Sequence, residues 1–118
     1  MKKLFVGISL GLVSLFAASP LALAHALLVA STPSIHGTVH GPGVAVDLKF
    51  NSRVDGTRSR LILVLPNGGN QVLSLMKQSA PEELAARIEL EPGTYSLRWQ
   101  AVAADGHISR GEIPFKVQ

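Results

Sequence analysis

The chain has 118 residues and a formal net charge of +3, enough for one small domain. It contains no cysteine, which excludes disulfide staples, thiolate metal sites and thiol catalysis and leaves the hydrophobic core to hold the fold. Two of the eleven basic residues are Lys2 and Lys3; the other nine face eight acidic ones, far from the basic stripe that nucleic-acid binding needs.

Those two lysines open a secretory-signal pattern. An apolar run, LFVGISLGLVSLFAA, follows them, and Pro20 then starts a small-residue segment ending Ala22-Leu23-Ala24. The A-x-A rule places the cut after Ala24. On that reading residues 1–24 are a signal peptide, 25–118 the exported domain, and His25 its first residue. A second register, Ala24-His25-Ala26, would remove His25. An uncleaved anchor is the third reading, since the run is nearly long enough to span a bilayer.

Beyond residue 25 the pattern is dominated by period-two alternation. A first strand is expected at about ALLVAS. SIHGTVHGPG carries His36 and His40 four residues apart, but its glycines and Pro42 argue for loop over a helical metal pair. VAVDLKF puts Val44, Val46, Leu48 and Phe50 on one face. RLILVLP is apolar on both faces, as a central strand would be, and Asn67-Gly68 predicts a hairpin into QVLSL. SAPEELAAR favours a turn or two of helix, with Ser79 as N-cap and Glu82 in capping-box position, ahead of a short strand ARIEL. EPGTY turns into YSLRW, with Tyr95, Leu97 and Trp99 inward. EIPFKV ends the chain with Ile113, Phe115 and Val117 inward, and Pro114 suggests an edge position or a bulge. Six or seven short strands predict an all-β antiparallel sandwich or Greek-key barrel.

Chemistry concentrates in VAADGHISRG. Continuing the parity of Trp99 along an extended chain brings Asp105 and His107 to one side, a carboxylate paired with an imidazole. A turn aspartate beside a solvated histidine would read the same. His25, once freed by cleavage, offers its α-amine and ring Nδ1 as a chelate, and both deprotonate easily near neutral pH. With His107 and Asp105 these atoms make three nitrogens and an oxygen, a set suited to Cu(II) in tetragonal geometry; zinc would take the same atoms as a tetrahedron. No G-x-S-x-G elbow accompanies the serines, which argues against a hydrolase.

HALLVASTPS directly after the cleavage site, VDLKF, PGTYSLRWQAVAADGHISRG and the final FKV together resemble the CopC family of periplasmic copper-binding proteins. The resemblance spans essentially all of residues 25–118. It implies a cupredoxin-like (Ig-like) Greek-key β-barrel holding Cu(II) in a histidine brace: the amine and ring of His25, the ring of His107, and Asp105 as ligand or close partner. It further implies copper sequestration in the periplasm, or delivery to a membrane copper transporter, by a monomer without enzymatic activity. Two departures stand out. Met76 is the only methionine after the leader, too few for a thioether Cu(I) site, and Asn51-Ser52 follow the LKF strand where several relatives carry an acid. Two other readings remain: a copper-dependent monooxygenase using the same brace, and a non-metal β-sandwich binding module. Against the first, Phe50, Tyr95, Trp99 and Phe115 all fall on inward positions, leaving no aromatic platform for a polymer.

Overall fold

The computed structural model describes residues 26–118; the leader, the cleavage site after Ala24 and His25 lie outside the described residues. Eight strands form two sheets, with no helix among the described residues. Strands β1 (Leu28–Thr32), β3 (Gly43–Phe50) and β6 (Glu83–Glu89) form one sheet in the order β1-β3-β6. Strands β2 (Gly37–Val39), β4 (Arg60–Val64), β5 (Asn70–Val72), β7 (Gly93–Val102) and β8 (Ile108–Val117) form the other, ordered β2-β8-β7-β4-β5.

The predicted alternation decides what lies between the sheets. Val44, Val46, Leu48 and Phe50 of β3 are buried against Tyr95, Leu97 and Trp99 of β7 and Ile113, Phe115 and Val117 of β8. Polar residues between them face outward, so each sheet is half-buried and its register is fixed by its apolar side. The Trp99 ring meets Phe50 edge-on at 5.2 Å, and directly opposite on β8 stands Gly111. A side chain at 111 would enter the indole, its Cβ coming within 2.6 Å of Trp99 Nε1. Tyr95 stacks on Phe115 at 5.7 Å and donates its hydroxyl to the Glu91 carbonyl at 2.7 Å, tying the turn before β7 to the strand.

Three expectations need correction. The sheets do not close into a barrel: among the described residues their ladders end at β1, β6, β2 and β5, and the bridge Val54–Ala103 stands alone between named strands. The crossing segments carry turns and side-chain ties in place of ladders, so the molecule is an open sandwich. The segment expected to be helical, SAPEELAAR, is a turn at residues 79–82 followed by strand β6 from Glu83. Leu84 and Ala86 alternate inward on β6, and pairing with all of β3 from Gly43 to Lys49 outweighs the capping signal; Ser79 Oγ bonds Glu83 Oε2 instead. HGTVHG, read as loop, contributes the three-residue β2, which lies parallel to β8. The first strand, β1, pairs with β3, in the sheet opposite the one that carries β7 and β8.

The hairpin is as expected. Gly68 takes φ 89°, and Leu65 N–H donates to the Gly69 carbonyl at 2.8 Å. Pro114 sits where its missing N–H costs nothing. Its carbonyl accepts from His36 N–H, so its nitrogen faces the side that β2 covers only from Gly37 onward.

Candidate metal centre

Strands β7 and β8 are joined by a turn at residues 103–107. Ala103 N–H donates to the His107 carbonyl at 2.8 Å and Gly106 N–H to the Ala103 carbonyl at 2.9 Å. Gly106, at φ 91°, allows the reversal. Asp105 and His107 do come together, but the tight turn does it, not an extended strand. Asp105 Oδ1 accepts the backbone N–H of His107 at 3.0 Å, and Oδ2 lies 2.8 Å from His107 Nδ1. The backbone bond first, and the ring second, hold the Asp105 carboxyl below the usual carboxylate range. An ionised carboxylate only accepts, so Nδ1 carries the proton and the ring's lone pair sits on Nε2. That is the arrangement by which a carboxylate readies a histidine for a metal ion. Both side chains are about half exposed, at 56% for His107 and 42% for Asp105.

The turn is anchored from below. The 54–59 loop wraps the last residue of β7: Asp55 N–H donates to the Val102 carbonyl at 2.7 Å, and the buried Ser59 hydroxyl accepts Val102 N–H at 3.0 Å. Val54, at the start of this loop, bridges to Ala103. Within the loop, Asp55 takes Thr57 and Arg58 on its carboxylate, and the Arg58 guanidinium foremost holds it far below the ordinary value.

The chain enters the described structure at the same end. Leu27 N–H donates to Asn51 Oδ1 at 2.8 Å, and Asn51 N–H returns to the Leu27 carbonyl at 2.9 Å. Ala26 is buried in the core. Asn51 thus clamps the residue two places after His25 and is itself three places before Val54, which pairs beside the Asp105–His107 turn. Two residues reach at most about 7 Å. Sequence reasoning saw Asn51 only as a missing acid. Ser59 gave no signal, because its partner is 43 residues away.

Among the described residues no three His, Asp, Glu or Cys side chains converge, so Asp105 and His107 are a pair there. His36 and His40 are both exposed and flank β2, whose three extended residues hold them about 13 Å apart; they do not form a chelating pair on a helix. Met76 is half exposed.

A CopC domain model matches residues 28–118, which is nearly every described residue. The chain belongs to the CopC family. Copper resistance protein C of Xanthomonas campestris pv. juglandis is 30% identical over 110 residues, covering 86% of each chain. The crystal structure of CopC from Methylosinus trichosporium OB3b superposes with a TM-score of 0.70 at 28% identity, covering 80% of this chain and 94% of that one. PcoC, a methionine-rich copper resistance protein from Escherichia coli, shares the fold at a TM-score of 0.64 and 24% identity, over 80% of this chain and all of that one. The CopC sandwich and this one are therefore the same architecture.

Proposed function

We propose that this CopC-family protein is a periplasmic Cu(II) carrier whose ion is held between the N-terminal His25 and the Asp105–His107 turn. The observation that carries the reading is the pairing in that turn. Asp105 on Nδ1 leaves Nε2 as the basic atom of His107, a donor suited to copper, and the carboxylate acts as the partner that orients the ring. The Asn51 clamp on Leu27 supports the second half, because it keeps the preceding residues within a short reach of this end of the sandwich. Cleavage after Ala24 would add the α-amine and Nδ1 of His25, completing three nitrogens with Asp105 as the close partner that orients His107. Its relative in Xanthomonas campestris, a copper resistance protein, agrees with copper as cargo. The chemistry is capture, retention and release, with no substrate bond made or broken, either to sequester copper or to pass it to a membrane transporter.

The monooxygenase alternative finds no support in the aromatics. Phe50, Tyr95, Trp99 and Phe115 are all buried in the core, so none of them forms a surface for a polymer.

The test is Cu(II) titration against a competing chelator, using protein that begins at His25 and protein carrying one extra glycine ahead of it. The extension leaves every side chain in place but converts the chelating amine to an amide. Affinity should fall at least about a hundredfold, and fall comparably in His107→Ala. Equal affinity of the extended and mature forms would refute the His25 chelate.

A further inference from the structure

The two outer faces of the sandwich differ in charge. On the five-stranded sheet the inward positions are Leu61, Leu63, Leu97, Trp99, Ile113 and Phe115, which leaves Arg60, Arg98, Arg110 and Lys116 outward. Glu112 is the one carboxylate among them; it sits 3.7 Å from Arg98 Nε and accepts the Ser96 hydroxyl at 2.9 Å. Four of the nine lysines and arginines past the leader therefore share this face with one of the eight acids. The remainder of the domain holds five cations and seven anions. A nearly neutral domain is thus strongly polarised.

The arginines are placed as a set. Arg60, Gln100 and Arg110 are aligned across β4, β7 and β8, and Arg98 lies in the next outward row between Ile62 and Glu112. Gln100 Oε1 accepts Arg110 Nε–H at 3.1 Å, which orients that guanidinium. Ile62, Arg98, Gln100, Arg110 and Glu112 line a shallow concavity of about 490 Å³. Gln100 and Arg110 are each two residues from the β7 and β8 ends that carry the Asp105–His107 turn, so the basic face runs up to that turn.

We propose that this face docks an acidic polypeptide surface, that of the protein which gives copper to this one or takes copper from it. The proposal rests on the copper reading for the partner's role, but the docking chemistry stands on the arginines alone. Three of the four cations are guanidiniums, whose planar forks match carboxylates two bonds at a time. Two of them, Arg98 and Arg110, line the concavity together with the apolar Ile62, which suits an Asp- or Glu-bearing segment. A partner seated there has its edge beside the ion. Attraction at this face orients it before contact, which speeds transfer without strong binding.

The experiment uses the mature domain without copper, so docking and metal binding fail separately. A peptide of alternating glutamate and glycine is titrated into ¹⁵N-labelled protein at low salt, and anionic phosphatidylglycerol vesicles are tested in parallel by sedimentation. Shifts should concentrate at β4, β7 and β8 and at the Nε–H of Arg98 and Arg110. The triple variant Arg60→Gln, Arg98→Gln, Arg110→Gln should bind the peptide at least about tenfold more weakly, while Lys49→Gln with Arg87→Gln, on the other sheet, changes it less than about twofold. All five side chains are exposed, and each variant's amide spectrum and copper titration check that fold and metal site persist. Equal peptide affinity in the triple variant, or shifts spread over both sheets, would overturn the proposal. So would vesicle binding that depends on these arginines while the peptide leaves them unmoved, since that assigns the face to lipid.

Discussion

Replacing Asp105 by asparagine tests the chemistry of the metal centre with the smallest change. The wild-type carboxylate performs two tasks at once: Oδ1 takes the His107 backbone N–H and Oδ2 faces Nδ1. An amide cannot repeat both. If its oxygen keeps the backbone N–H, its NH₂ points at Nδ1, which must then become the acceptor. The ring proton moves to Nε2, the atom proposed to meet copper. If the amide flips to restore the Nδ1–H bond, its NH₂ confronts the backbone N–H, and the turn loses its tie. The first arrangement keeps both bonds but protonates the coordinating atom, as when the orienting carboxylate of a catalytic triad is amidated; the second keeps the tautomer but frees the turn, so either way copper binding weakens. Loss of a group that orients a metal-bound histidine costs about 10–100-fold in affinity. Competition titration at neutral pH reads the affinity, and the NMR nitrogen shifts of His107 read the tautomer. Cu(II) affinity within about twofold of wild type, with Nδ1 still protonated, would refute the reasoning.

Three further outcomes are expected. Gly111→Ala drives a methyl into the Trp99 indole, and overpacking of this kind costs about 1–3 kcal/mol, or roughly 5–20 °C in Tm for a domain this size; calorimetry and the single tryptophan's fluorescence would show it, and an unchanged Tm would contradict the packing. Asn51→Ala removes the acceptor for Leu27 N–H and should weaken Cu(II) binding by about 2–10-fold while barely moving Tm, because the lost hydrogen bond is exposed and local. The Asp55 carboxyl has a folded pKa depressed chiefly by Arg58, so its contribution is present above the unfolded value near 4 and is lost as pH falls toward the folded one. Asp55→Asn should therefore melt below wild type at pH 7, with the gap narrowing steadily below about pH 4; a gap independent of pH would exclude the ionic cause.

The alternation of apolar residues was enough to name most strands and the inner face of each. Val44 to Phe50, Tyr95 to Trp99 and Ile113 to Val117 bury the residues that their parity predicts, because burying one sheet face leaves a strand no other choice. The Asp-Gly-His pair was legible because it is local: residues two apart meet on one side of an extended chain, as expected, and also across the tight turn that forms there instead. The segment at Ser79–Arg87 misled because its capping residues favour a helix, and only the full length of β3 waiting beside it makes a strand better. The three-residue β2 has no pattern of its own and exists because β8 offers an edge.

What only the tertiary structure decided are contacts between residues far apart in the chain. Which strand β1 joins, that two sheets stay open, that Ser59 braces Val102 and that Asn51 holds Leu27 are all questions of distant partners. Side-chain type and spacing encode the face a residue presents and the turn it can make, since those depend on neighbours within a few positions. Partner choice depends on the summed packing of whole strands, and no short stretch of sequence carries that sum.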